Sequence, residues 1–202
     1  MIIERREDFP RLFTQKNYKI GVELGSYKGY FANIILSNWD GNLVCIDLFD
    51  REDNSVLYKN DCFYTKDLAK NKLLKIFNKT LSKHKNRLLT IQSDTISSAN
   101  FFPDSHFDFI YFDADHSYET VICELTTWYS KLKSGGLFCG HDFLPNFDYS
   151  KKNNTVYDPL DLTSYNGEFG VNTAVVEFCN QHRVTFNVTQ EPYWRSWYFF
   201  KP

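Results

Sequence analysis

No stretch of the 202-residue sequence approaches the roughly 18 consecutive apolar residues that would span a bilayer. The opening MIIERREDFP holds no apolar segment of signal-peptide length, so the chain is expected to be cytoplasmic and without a membrane partner. Long basic blocks are missing too. The formal net charge of −2 argues against nucleic acid as the main partner. Cysteine is sparse: Cys45, Cys62, Cys123, Cys139 and Cys179 are odd in number and include no C-x-x-C pair. They read as buried free thiols in a reducing compartment, not as a disulfide frame or a zinc site. Internal repeats, low-complexity segments and signs of a second domain are also lacking, and the length suits one domain over 1–202 with a sizeable core.

What is present is an alternation of strand-like and helical runs. YKIGVELG, NLVCIDLF, RLLTIQSD, FDFIYFDA and LFCGHD read as five strands in chain order, the second of them a buried-strand candidate. Helical spacing appears in YKGYFANIILSN, where Phe31, Ile34 and Ile35 share a face, and in the Lys-rich residues 63–85. It recurs in ETVICELTTWYSKL, with Val121, Leu125, Trp128 and Leu132 on one stripe, and in VNTAVVEFCNQH. The SGG after the third of these helices reads as its breaker. VTFNVTQ and RSWYFFK read as a closing antiparallel pair. The expected fold is therefore α/β: a doubly wound, mostly parallel, seven-stranded sheet with a C-terminal antiparallel hairpin. Residues 143–168 carry Pro, Asn, Asp and Tyr without periodicity, and are expected to form an irregular, lid-like loop over the site.

The first strand–helix turn, VELGSYKGYF, places Gly25 and Gly29 where a backbone can approach a ligand without a Cβ in the way. Free N–H groups of the following helix lie beyond it. Asp47 ends the second strand, where an acid can accept hydrogen bonds from both hydroxyls of a ribose, and Asp50 is a nearby substitute. A helix or loop cap is the alternative use of Asp47. The turn is looser than the dinucleotide fingerprint G-x-G-x-x-G. Glu23 on its approaching strand suits a cationic group better than a diphosphate.

FDFIYFDADHSYE ends an apolar strand in Asp113, Asp115 and His116, and LFCGHD ends the next one in His141 and Asp142. Ligands of open α/β sheets bind outside the carboxyl ends of strands, so these side chains are expected to share one cleft with the glycine turn. Ser117 or Asp115 could instead cap the following helix.

These features together resemble the class I methyltransferases that use S-adenosylmethionine, a Rossmann-like superfamily. DADHSYETVICELTTWYSKLKSGGLFCGHD, with GVNTAVVEFC and the late Ser196–Trp197, is similar to the metal-dependent macrolide-sugar and aminocoumarin-sugar O-methyltransferases. The resemblance runs from Lys19 onward. It implies that Glu23, Gly25, Ser26, Gly29, Asp47 and Asp113 bind the cofactor, with Ser93 and Asp94 near its adenine. It also implies that Asp113, His141 and Asp142 hold a divalent metal such as Mg²⁺ or Mn²⁺, and that His116 or Asp115 is the general base. One departure concerns the metal: this chain has His141 where those relatives carry an acid, and imidazole suits Mn²⁺, Fe²⁺ or Zn²⁺ better than Mg²⁺. The expected reaction is O-methylation of a small molecule or sugar, on a chain free to form a homo-oligomer. A cofactor-binding scaffold role, or another group transfer on the same fold, are the competing readings.

Overall fold

Apolar, aromatic-rich runs bounded by turn residues give strands buried on both faces, and these build the centre of the molecule. The computed structural model describes residues 3–49, 72–144, 155–157, 164–166, 170–192 and 194–202. A 3₁₀ turn at Arg6–Asp8 leads into α1 (Phe9–Gln15), β1 (Ile20–Leu24), α2 (Tyr30–Asn38) and β2 (Asn42–Asp47). Then come α3 (Lys72–Thr80), β3 (Leu88–Gln92), the short α4 (Thr95–Ser98), β4 (Phe107–Phe112), α5 (Tyr118–Tyr129) and β5 (Leu132–Phe143). The last elements are β6 (Thr155–Tyr157), β7 (Ser164–Asn166), α6 (Val171–His182), β8 (Asn187–Val188) and β9 (Arg195–Phe200).

The main sheet has the order β3-β2-β1-β4-β5-β9-β8. Its first four pairings are parallel, and β9 runs antiparallel to both β5 and β8. This is the doubly wound seven-stranded sheet with a closing hairpin that the sequence predicts. The strand order reverses between β1 and β4, so the crevice of the switch point opens over Gly25 and Asp113. One core layer joins α1, α2 and α3 to the sheet through Phe9, Phe13, Phe31, Phe77, Phe109 and Tyr111. The other joins α5 and α6 through Val121, Trp128, Phe138, Val175, Phe178 and Trp197. Each fully buried aromatic is worth about 1.5–3 kcal/mol of transfer free energy, so the high aromatic content is largely core. No helix among the described residues is long and apolar enough to cross a membrane.

Four expectations need correction or completion. α1 is an added helix, announced only by Pro10 in its first turn. The Ser-Gly-Gly stretch does not break a helix: α5 has already ended, and β5 starts at Leu132 and runs through residues 134–136. A register shift against β4 between Phe107 and Phe109 absorbs the irregularity. Of the cysteines, Cys45, Cys139 and Cys179 are buried free thiols, but Cys123 is exposed on α5. Cys62 and Asp50 lie outside the described residues, as does most of 143–168, although β6 and β7 within that span pair antiparallel.

Candidate active site

The glycine turn is forced by its neighbours. Gly25 has φ +83°, and a Cβ there would meet the Asp113 carbonyl oxygen at 2.2 Å and the Ala114 Cα at 2.4 Å. The chain leaving β1 thus lies directly against the chain leaving β4, joined by the Asp113 N–H bond to the Leu24 carbonyl at 2.8 Å. Gly29, also at positive φ, precedes the first residue of α2, and its N–H donates to the Ser26 carbonyl at 2.7 Å. Ser26 is buried, with its hydroxyl beside the Glu23 carboxyl.

Asp47 stands at the end of β2, as the sequence predicts, and holds backbone. Its two carboxylate oxygens accept from the N–H groups of Tyr27 and Phe49, both at 2.7 Å. This locks the glycine turn to the end of β2, and each oxygen keeps a further lone pair for a ligand. Asp94 is likewise engaged, capping α4 by accepting the Ser97 N–H at 2.7 Å. Ser93 sits beside Asp47 through a backbone bond of 3.1 Å. Glu23 is 1% exposed on β1. Burial pushes its carboxyl up to about 7, with Asp113 adding to the rise and the Ser26 hydroxyl and Arg6 opposing it.

At the ends of β4 and β5 the polar side chains bond to one another. His141 Nδ1 lies 2.9 Å from Asp142 Oδ1 and 4.0 Å from Asp113 Oδ1. His116 Nε2 lies 2.6 Å from Asp142 Oδ2, so two imidazoles bracket one carboxylate. Asp142 reaches this position through a left-handed backbone, φ +58°, where β5 slips register against β9. Burial alone would raise the Asp142 carboxyl, but the two histidines hold it well below the usual carboxylate range. Burial raises Asp113, against the opposing pull of Arg6 and His141. Burial would depress the His116 imidazole, yet Asp142 dominates and lifts it to about 9. The adjacent carboxylates thus outweigh the N-terminal dipole of α5, which by itself would favour the neutral ring.

One ligand atom from each of Asp113, His141 and Asp142 falls within 4.8 Å of the others, the spacing of a metal-binding group. Asp115 lies nearby, but its Oδ1 accepts the Ser117 N–H at 2.7 Å, and Ser117 caps α5. The motif thus supplies both a helix start and a set of site side chains. The loop is further fixed from α6, where the Gly170 N–H donates to the His116 carbonyl at 2.7 Å. A Cβ on Gly170 would lie 2.3 Å from the Tyr118 Cβ, and Asn172 Nδ2 holds the Leu144 carbonyl at 2.7 Å. These contacts account for the Gly-Val-Asn at the start of α6.

Two further residues belong to the site. Glu124 of α5 is 1% exposed and lines the recess behind Asp115 and His116. Its carboxyl accepts from Thr95 Oγ1, and burial pushes it up to about 8. The sequence signal was its place three residues after Val121, on the buried side of the α5 stripe. Arg6 reaches in from the first 3₁₀ turn, and its Nη2 donates to Asp113 Oδ2 at 3.1 Å. Nothing in ERREDF separates Arg6 from Arg5 until the turn is folded.

Residues 22–143 match the family model of a methyltransferase domain. No curated protein matches the chain. Among solved structures, the chain is similar to a candidate caffeoyl-CoA O-methyltransferase from Staphylococcus aureus, at TM-score 0.68 and 16% identity over 100% of this chain and 86% of that one. It also resembles an O-methyltransferase from Bacillus cereus in complex with S-adenosylhomocysteine, at TM-score 0.59 and 14% identity over 97% and 80% of the two chains. A third is TomG from Streptomyces achromogenes, an O-methyltransferase in complex with S-adenosylmethionine, at TM-score 0.60 and 10% identity over 98% and 79%. At such identities these likenesses establish the fold.

Proposed function

The chain belongs to the methyltransferase-domain family, and from that premise we propose that it moves the methyl group of S-adenosylmethionine to a hydroxyl of a small molecule or sugar. The observation that carries this reading is the gathering of Asp113, His141 and Asp142 within 4.8 Å, beside the Gly25 turn. A carboxylate–imidazole–carboxylate set fits a divalent ion, and its mixed oxygen and nitrogen donors favour Mn²⁺, Fe²⁺ or Zn²⁺ over Mg²⁺. When bound, S-adenosylmethionine supplies an activated methyl on a sulfonium, and a divalent ion lowers the pKa of a hydroxyl that it touches.

The chain's own residues do the rest. Glu23 and Asp113 place negative charge where the cationic end of the cofactor enters. Gly25 lets the cofactor lie against the backbone, and Asp47, with Ser26, Gly29, Ser93 and Asp94 around it, orients the nucleoside. With the cofactor bound, the side chains at the ends of β4 and β5 would hold the acceptor hydroxyl toward its activated methyl group. His116 takes the hydroxyl proton in its neutral form. Asp115, bonded to Ser117, orients the loop and is the rival base.

Calorimetry with S-adenosylmethionine and S-adenosylhomocysteine, followed by labelled-methyl transfer to a panel of hydroxyl acceptors with and without chelator, tests the reading. Binding plus transfer is the expected result. Binding without transfer to any acceptor would favour a scaffold role or another group transfer. Full turnover by verified metal-free protein would remove the ion from the mechanism.

A further inference from the structure

Arg6 is a charged side chain that the proposed chemistry leaves without a task. Its guanidinium carbon lies 4.2 Å from the Phe31 ring centroid and 5.8 Å from that of Tyr111. Phe31 covers one face of the fork, so further partners have to be met in its plane. Among the described residues its side chain donates one hydrogen bond, to Asp113, and its buried Nε has no partner. A guanidinium presents five donors, and a buried donor left unpaired is costly. The acids that face it are Asp113 after β4, Glu23 on β1 and Asp142 on β5.

The backbone under this side chain is fixed. The Arg6 N–H donates to Glu191 Oε1 at 2.7 Å, and the Gln190 N–H donates to the Glu4 carbonyl at 2.8 Å, tying the turn to the β8–β9 connection. Asp8 accepts from the N–H groups of Glu4 and Arg5, and Phe9 and Phe13 bury α1 against the sheet. The cation is thus held in place before any ligand arrives, which lowers the cost of binding. The chemistry of the cleft at this point is one guanidinium with unused donors beside three acids, of which Glu23 and Asp113 stand on β1 and just after the adjacent β4. A phosphate would meet Glu23 and Asp113 as like charges. An amino-acid zwitterion, with one charge of each sign on adjacent atoms, matches both.

We propose that Arg6 receives the carboxylate at the amino-acid end of the cofactor, while Glu23 and Asp113 face its ammonium. This rests on the cofactor reading above. Arg6 would then be a binding residue that discriminates intact cofactor from nucleoside fragments lacking the amino acid.

The test is calorimetric, on the full chain, with S-adenosylhomocysteine, its carboxamide analogue and 5′-methylthioadenosine, which has no amino-acid end. Arg6→Gln is expected to weaken S-adenosylhomocysteine by about 10–100-fold while leaving 5′-methylthioadenosine within twofold, with Arg6→Lys in between. The carboxamide analogue is expected to bind the unmodified protein about 10–100-fold more weakly than the acid, a comparison that stands even if Arg6→Gln fails to fold. Equal losses for both ligands in Arg6→Gln, or an analogue that binds as well as the acid, would reduce Arg6 to a structural counterion of Asp113. Failure of the unmodified protein to bind any of the three would instead overturn the cofactor reading itself.

Discussion

The two halves of the cleft use the same residue types in opposite ways. Over β1 and β2, Asp47 and the glycine turn direct their polar groups at backbone: both Asp47 oxygens hold N–H groups. Over β4 and β5, Asp113, His116, His141 and Asp142 direct theirs at one another. The first half is a rigid mould whose shape is set before a ligand arrives. The second is a set of charges that compensate each other and can be re-paired when an ion or a hydroxyl enters. Rigid recognition and mobile charge thus sit on adjacent strand ends, separated by the contact between Gly25 and Asp113.

The largest expected effect breaks the charged half alone. His116→Gln should slow methyl transfer by roughly 10²–10⁴-fold, the usual range for loss of a general base, with S-adenosylhomocysteine affinity kept. Single-turnover rates alongside calorimetry separate the two. An equal slowing by Asp115→Asn with His116→Gln unaffected would transfer the role to Asp115. The same half should show its charges in a pH profile. With the His116 ring lifted to about 9 by Asp142, metal-free turnover should climb as pH rises toward 9, as the neutral ring becomes populated. A divalent ion that draws on the Asp142 carboxylate should move that limb to lower pH.

Next in size is a change behind the site. Glu124 has a carboxyl raised from 4.5 to about 8 by burial. A raised folded pKa gives stability that is fully present below the unfolded value and lost as pH rises through the folded one. Chemical denaturation of the unmodified protein should therefore show stability falling between about pH 4.5 and 8. Glu124→Gln should flatten that slope and be the more stable protein at pH 9 by roughly 2–4 kcal/mol. A parallel fall in both proteins would mean that Glu124 is ionised in the fold without cost.

The smallest effect is on the rigid half. Asp47→Ala should weaken S-adenosylmethionine by about 1–3 kcal/mol, through ribose bonds lost and a turn no longer held at Tyr27 and Phe49. Unchanged affinity would place the ribose elsewhere. A loss confined to protein stability, with affinity intact, would leave Asp47 as a loop cap.

Much of this was legible in the sequence because strand ends are strongly marked. Apolar runs that stop in an acid, such as VCID and IYFD, fix both an element and the side chain at its tip. The doubly wound order then brings those tips together, so Glu23, Asp47, Asp113, His141 and Asp142 could be listed before folding. What escaped depends on tertiary contact. Arg6 and Arg5 are chemically alike, and the Phe31 ring and the Glu191 carboxylate select between them. β5 continues through Ser134–Gly136, where local propensity opposes a strand, because Leu132 and Leu137 are paired to β4 on either side. The pairing of His116 with Asp142 is not visible in sequence, because it requires a left-handed turn at the end of a different strand.

One anchoring feature serves two strand ends. Asn172 holds the Leu144 carbonyl, and the Gly170 N–H holds the His116 carbonyl, so the chain leaves and re-enters the site at two pinned points. The start of α6 is therefore a clasp on the ends of β4 and β5 together, and a substitution at Gly170 or Asn172 would loosen both strand ends at once without altering any carboxylate or imidazole.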